Sequence, residues 1–241
     1  MVPFGGTPTK AVRHNDEVGM TIDEYCYYSS IVIHNSTFFI PHSSFKKSFL
    51  SLHMANKLII ITAPSGAGKT SITKHLMAYF PQLAFSVSAA TRLPRGMEKD
   101  GVDYHFITVA AFQQHIQQGD FVEWEMVYEG KYYGTLKTEL QRIWSQGKVP
   151  VLDIDVKGAI HVQQQYPQTS LSLFIDAPSI EELKRRLLLR GTETEASLAA
   201  RINKASFEIS FKNEFDEIIV NDNLEQACAH AQTVVAEFLS R

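Results

Sequence analysis

Three features of this sequence predict an α/β fold: a parallel sheet core flanked by helices, with an inserted small mixed-sheet lobe and a helical lid. First, the apolar run Ile59-Ile60-Ile61-Thr62 leads through a glycine-bearing turn into Ile72, Leu76 and Met77 at helical spacing. Second, further short apolar runs (Val149 to Asp155, Leu171 to Ile175, Glu217 to Val220) alternate with helical patterns, as parallel strands joined by crossovers do. Third, short strand-like runs crowd between residues 87 and 135, where Gly119-Asp120 precedes Phe121 to Val127 and Gly130 to Thr135 closes a hairpin.

Taken from the start, residues 1–53 differ in texture from the rest. Gly5-Gly6-Thr7-Pro8 opens a stretch rich in Ser, Thr and His with no sustained period. It lacks a basic region followed by an apolar one, and Asp16, Glu17, Asp23 and Glu24 do not suit a transit peptide. We expect a poorly ordered leader outside the natural protein, with Met54 as the initiator. A single domain then occupies 54–241: a core of 54–86, 136–178 and 214–241, a lobe of 87–135 and a lid of 179–213.

The turn after the first strand is Ala63-Pro64-Ser65-Gly66-Ala67-Gly68-Lys69-Thr70-Ser71. Glycines allow successive backbone N–H groups to converge on an anion, and a helix start adds its positive end. A lysine and a hydroxyl in the last positions suit β/γ-phosphates and Mg²⁺. The pattern G-x-x-x-x-G-K-[ST] fits except at Ala63, where its first glycine belongs. Gly66 and Gly68 still supply the close approach.

Beyond the turn, Leu83 to Ser88 alternates as a strand and is followed by Arg92 and Arg95 on a Pro/Gly loop. Guanidinium forks three apart suit a phosphate gripped from two sides, although loop arginines are also ordinary solvated charges. Leu136 to Trp144 reads as an amphipathic helix ended by Gly147. The strand from Val149 ends in Asp153 and Asp155, where a phosphoryl-transfer enzyme keeps its Mg²⁺-directing acid and where plain strand-end charges are also common. Ser179 with Glu182 forms a capping-box pattern for a helix from Ile180 to about Leu189, which carries Lys184, Arg185, Arg186 and Arg190. Arg201 and Lys204 sit on the next helix, and Leu224 to Leu239 reads as a terminal one.

Composition narrows the function classes. The 241 residues are 44% hydrophobic and 20% charged, with net charge -3 at pH 7, which argues against general nucleic-acid binding. Cys26 and Cys228 are distant and outside metal-ligand spacing, which suits a reducing interior. No run of eighteen apolar residues exists to span a membrane.

These motifs together resemble guanylate kinase over residues 57–241. The resemblance rests on Ala-Pro-Ser-Gly-Ala-Gly-Lys-Thr at 63–70, Ser-Val-Ser-Ala-Ala-Thr-Arg-Leu-Pro-Arg at 86–95, Gly-Val-Asp-Tyr-His-Phe at 101–106, Phe-Val-Glu-Trp at 121–124, Tyr-Tyr-Gly-Thr at 132–135, Leu-Asp-Ile-Asp at 152–155 and Arg-Gly-Thr-Glu-Thr-Glu at 190–195. It implies ATP on residues 63–71, with Lys69 on its phosphates and Mg²⁺ directed by Thr70 and Asp155. It further implies a GMP phosphate held by Arg92, Arg95, Tyr104 and Tyr133, guanine read by Ser88, Glu123 and Thr135, with Asp153 or Asp155 close by, and Glu98 in the same substrate site. Arg186, Arg190 and Arg201 match the lid arginines that act with Lys69 in catalysis. The implied reaction is phosphorylation of GMP and dGMP by ATP in cytoplasmic purine metabolism and GMP recycling, by a monomer or homodimer with no nucleic-acid or membrane partner. The rivals are an inactive guanylate-kinase-like module that binds phosphopeptides and a P-loop kinase for another nucleotide or a ribosyl phosphate.

The chain departs from the family pattern at Ala63, at Ala89-Ala90, at Gly96-Met97, and by one extra residue between Glu123 and the Tyr132-Tyr133 pair. The extra residue leaves open which tyrosine meets the phosphate.

Overall fold

A computed structural model describes residues 56–189 and 195–241. The expected leader and Met54, Cys26 and Arg190 lie outside the described residues.

Strand β1 (Leu58–Thr62) is buried along its whole length, which is why it reads as an unbroken apolar run. Its alternate side chains enter two different cores. Ile59 and Ile61 join Ile72 and Leu76 of helix α1 (Lys69–Tyr79) and Ala231 and Val235 of the C-terminal helix. Leu58 and Ile60 join Leu140, Leu152, Val156, Ala159 and Val162 on the opposite face.

The other core strands are β2 (Leu83–Phe85), β7 (Val149–Asp153), β8 (Ser170–Asp176) and β9 (Glu217–Val220), in the order β2-β7-β1-β8-β9, with all pairs parallel. β1 therefore lies between strands that come much later in the chain, Ile59 opposite both Val151 and Leu171. The loop after β1 leaves the sheet where its connections diverge, the usual crevice of open parallel sheets.

The inserted lobe carries a four-stranded mixed sheet, β4-β3-β6-β5, from β3 (Ala89–Ala90), β4 (His105–Phe106), β5 (Phe121–Tyr128) and β6 (Lys131–Leu136). Helix α2 (Val109–Gln118) is capped by Thr108, whose hydroxyl accepts from the Ala111 amide, and buries Phe112 beneath the sheet against Phe121. Ala89 and Ala90 are wholly buried, so the pair that departs from the family pattern sits where a hydroxyl would need an internal partner.

The extra residue before Tyr132 is absorbed by a bulge: Met126 opposes Tyr132 and Tyr128 opposes Lys131, with Val127 between. In the resulting register, Glu123 opposes Thr135 and Glu125 opposes Tyr133.

Helices α3 (Lys137–Ser145) and α4 (Val156–Gln165) cover one face of the core, and α7 (Leu224–Ser240) packs with α1 on the other. Between β8 and β9 come α5 (Ile180–Leu189) and α6 (Glu195–Ile209). At the start of α5, Ser179 Oγ accepts from the Glu182 amide at 3.1 Å, but the Glu182 carboxylate binds Arg185 and Arg186 instead of turning back. Only the forward half of the capping box forms. Leu183 and Ala205 are buried in the main core, so both helices of the expected lid are rooted there. No helix among the described residues is long and apolar enough to cross a membrane.

Candidate active site

The turn between β1 and α1 is shaped by two left-handed glycines, Gly66 (φ 95°) and Gly68 (φ 102°). Gly68 is the N-cap of α1 and brings no side chain to it, so the first turn of that helix faces the cleft without a capping group. Asn221, buried at the end of β9, fixes the turn from behind. Its Nδ2 donates to the Ala67 carbonyl at 2.7 Å, and a Cβ on Gly68 would lie 2.1 Å from that nitrogen. Ala63 has an ordinary backbone conformation and packs on the core, so glycine is not required at that position.

A cleft of about 640 Å³ brings most of the expected site together. Residues 63–66 and 68–71 line one side, with Ser88, Arg92, Arg95, Tyr104, Glu123 and Tyr133 across from them and Asp153, Asp155 and Arg201 between. Lys69 Nζ is ion-paired with Asp153 Oδ1. Asp153 therefore meets the Lys69 turn, and its charge is also felt at Tyr104.

Asp155, expected beside the metal, is the N-cap of α4. Its Oδ1 accepts from the amides of Lys157 and Gly158, both at 2.9 Å. It also stands near enough to Glu123 for its charge to be felt there.

Arg92 is held by several partners at once. Its two terminal nitrogens fork onto Glu98 at 2.5 and 2.7 Å, Nε donates to the Tyr133 hydroxyl at 3.0 Å, and the guanidinium lies 4.8 Å over the Tyr104 ring. Glu98 lies outside the cleft lining and acts by holding Arg92. The Arg92 fork, helped by the Arg95 amide, pulls the Glu98 carboxyl down to about 2. Burial pushes the Tyr104 phenol up. Tyr132, by contrast, stacks on Phe112 beneath the sheet. The register turns Tyr133 to the cleft and Tyr132 away from it.

Glu123 is 7% exposed. Burial raises its pKa to about 7, Asp155 adds to the rise, and Thr135 opposes it by donating from its hydroxyl to Oε1 at 2.7 Å. Thr135 is itself wholly buried and does not line the cleft; its hydroxyl serves Glu123.

The expected lid arginines separate. Arg201 lines the cleft and donates to Ser65 Oγ at 3.0 Å. Arg186 is turned to the root of α5, donating to Glu182 at 2.7 Å and to the Asn221 carbonyl at 2.9 Å, away from the cleft lining.

Sequence reasoning missed Glu208, Asn221 and Gly158, and noted Lys204 only as part of a basic helix. Arg201, Lys204 and Glu208 line the cleft at i, i+3 and i+7 of α6, a helical face that the spacing could have revealed. Glu208 is raised by burial and lies 3.7 Å from the Lys204 ammonium. Asn221 carried no signal beyond being a polar residue after an apolar strand.

Comparisons with known proteins identify the family. A family model described as guanylate kinase matches residues 55–238. A guanylate kinase of Bacteroides fragilis is 47% identical over 183 residues, 76% of this chain and 90% of that one. One of Bacteroides thetaiotaomicron is 44% identical over 199 residues, 83% of this chain and 98% of that one. A solved guanylate kinase of Anaplasma phagocytophilum superposes with a TM-score of 0.62 at 28% identity, covering 78% of this chain and 88% of its own. The family model runs from before β1 into the last turn of α7 and so takes in all the cleft residues, and with these relatives it places the chain in the guanylate kinase family.

Proposed function

We propose that this protein transfers the γ-phosphoryl group of ATP to GMP, giving ADP and GDP, and that dGMP, with the same base and phosphate, is a second acceptor. The observation that carries the reading is Glu123, a buried carboxylate held by Thr135 at one side of a cleft whose other side is the Lys69 turn. Guanine offers N1–H and N2–H₂ donors side by side, and an ionised carboxylate accepts from both. Adenine presents a lone pair at N1 and would leave the carboxylate unpaired, a loss of roughly 2 to 5 kcal/mol.

The acceptor phosphate sits between Arg92 and Arg95, with Tyr104 and Tyr133 closing around it. Arg92 is pre-formed by Glu98 and Tyr133, so little side-chain entropy remains to be lost on binding. An oxygen of that phosphate attacks the γ-phosphorus as the β–γ bridging oxygen leaves with ADP. Positioning and charge neutralisation carry such a transfer, without a covalent enzyme intermediate. Lys69 moves its ammonium from Asp153 to the arriving phosphates, and Arg201, already at Ser65, adds a second cation. Arg186 and Arg190 belong to the same proposed set, Arg186 through lid movement.

The residues present fit Mg²⁺. Thr70 is exposed and lines the cleft together with Asp153 and Asp155, and these are hard oxygen donors. Among the described residues no three His, Cys, Asp or Glu side chains form a cage, as suits a cation shared with nucleotide phosphates. Thr70 and an Asp155 or Asp153 oxygen would hold it, and when bound it neutralises charge on the phosphates. This reading places the protein in cytoplasmic purine nucleotide metabolism, recycling GMP.

The test is ADP release with ATP and Mg²⁺, comparing GMP, dGMP, AMP, CMP and UMP. Turnover restricted to GMP and dGMP is expected. Tight GMP binding by folded protein with no turnover would favour the inactive phosphopeptide-binding module instead.

A further inference from the structure

Glu123 has a second carboxylate oxygen, and its surroundings depend on a residue that carries no side chain. Oε1 is fixed by the Thr135 hydroxyl at 2.7 Å. Oε2 lies against Gly158, in the first turn of α4, where a Cβ would sit 2.9 Å from Oε2, 3.4 Å from Glu123 Cδ and 3.6 Å from Asp155 Oδ1. Contacts under about 3 Å are not tolerated by a real Cβ, so one of the partners would have to shift. Gly158 is in ordinary helical backbone, and its amide donates to Asp155 Oδ1. Its lack of a side chain is therefore not explained by a turn or a positive φ. Glycine inside a helix costs roughly 0.5 to 1 kcal/mol relative to alanine, and the position bears that cost without a backbone reason.

We infer that Gly158 is a positioning residue for base recognition: its missing side chain makes the niche that aims the Glu123 carboxylate at the acceptor base. The inference rests on the reading of Glu123 as the guanine-recognising group and deepens it. The niche lies where two lobes meet, since Glu123 belongs to β5 and Gly158 to α4. Gln165 Nε2 of the same helix donates to the Val122 carbonyl at 2.7 Å, which ties α4 to β5 one residue before Glu123. Added bulk at Gly158 cannot be absorbed on the Asp155 side, where Oδ1 is already held by two amides. The carboxylate is the movable partner, and the group that moves is the one that reads the base.

The test uses the full chain and four proteins: wild type, Gly158→Ala, Glu123→Ala, and Gly158→Ala combined with Glu123→Asp. The readout is the ratio of kcat/KM for GMP to that for IMP, which has guanine's N1–H but not its 2-amino group. Gly158→Ala should keep or raise the melting temperature, as expected for alanine in a helix. It should also raise KM for GMP by ten-fold or more with a smaller change in kcat, and collapse the GMP-to-IMP ratio toward that of Glu123→Ala. The shorter carboxylate of Glu123→Asp should recover part of the GMP preference in the Gly158→Ala background. If Glu123→Ala loses the preference while Gly158→Ala keeps it, the inference is overturned and the reading of Glu123 stands. If Glu123→Ala keeps the preference, the reading itself fails and the inference with it. A Gly158→Ala protein that fails to fold would also overturn the inference unless the Glu123→Asp combination restores folding, because the clash would then lie with groups other than the carboxylate.

Discussion

The two walls of the cleft are built in opposite ways. The donor wall comes from one continuous stretch, residues 63–66 and 68–71, and its work is done largely by backbone: two left-handed glycines, an uncapped helix start and one lysine. The acceptor wall gathers Ser88, Arg92, Arg95, Tyr104, Glu123 and Tyr133 from separate strands and loops, and Arg92, Tyr133 and Glu123 among them are aimed by neighbours. Backbone recognition suits a polyphosphate, which looks the same on every nucleotide. Discrimination between bases requires side chains whose donors and acceptors are fixed in advance, and fixing them takes a supporting layer. Function on the donor side should therefore be sensitive to one cation and two glycines and tolerant elsewhere, and on the acceptor side sensitive to residues that never touch substrate.

The largest effect is expected at Lys69. Lys69→Met removes the cation on the transferring phosphates and should lower kcat on the order of 10³-fold, with KM for GMP little changed; steady-state kinetics with GMP as the varied substrate checks both. A matching rise in KM for GMP would show that the two walls are not separable.

Next is Glu123→Gln, expected to lower kcat/KM for GMP on the order of 10²-fold. The amide can still accept at one atom but presents a donor where guanine also donates. A variant with full GMP activity would sink the account of base recognition.

The pH dependence sharpens the contrast further. Glu123 must be ionised to accept from guanine, and burial raises its pKa from an ordinary 4.5 to about 7. kcat/KM for GMP should therefore rise about ten-fold per pH unit below that value and level off above it, and Glu123→Gln should abolish the inflection. Stability carries the opposite sign. Between 4.5 and about 7 the folded state binds more protons than the unfolded one, so stability falls as pH rises through that window. The fall is at most about 3 kcal/mol and should be absent from Glu123→Gln in thermal melts. Thr135→Val is the subtler probe: loss of its hydrogen bond moves the inflection upward and lowers kcat/KM for GMP at pH 7 by a few-fold, about 1 kcal/mol. A downward shift would mean that Thr135 does not stabilise the ionised carboxylate.

How much of this was legible in the sequence follows from the same division. The core strands and the nucleotide turn were readable because each is a contiguous pattern: β1 buries both faces and the turn needs glycines at fixed offsets. The acceptor residues were reached through a resemblance spread over several motifs, since no local rule links Arg92 to Tyr133 across 41 intervening steps of chain. What stayed hidden was direction. That Tyr133 and not Tyr132 faces the cleft follows from the pairing of Tyr133 with Glu125, which the extra residue at Val127 leaves undisturbed. That Asp153 meets Lys69 while Asp155 caps α4 depends on where β7 stops and the helix begins, a boundary pattern reading cannot fix. Gly158 was invisible because its role is an absence of atoms opposite a residue far away in sequence.

The smallest expected effect tests the tolerant side of the comparison. Ala63 stands where the nucleotide-binding pattern has glycine, yet its φ is not in the left-handed region and its methyl packs on the main core. A position that needs glycine for its backbone would be strained by alanine, and restoring glycine would then relieve strain and tighten ATP binding. This position needs none, so Ala63→Gly removes a small apolar contact and frees the unfolded chain. The expected result is a loss of roughly 0.5 to 1 kcal/mol in thermal or denaturant unfolding, with no improvement in KM for ATP. A variant with a higher melting temperature and a lower KM for ATP would show that the donor wall is as exacting at its first residue as the acceptor wall is at Glu123.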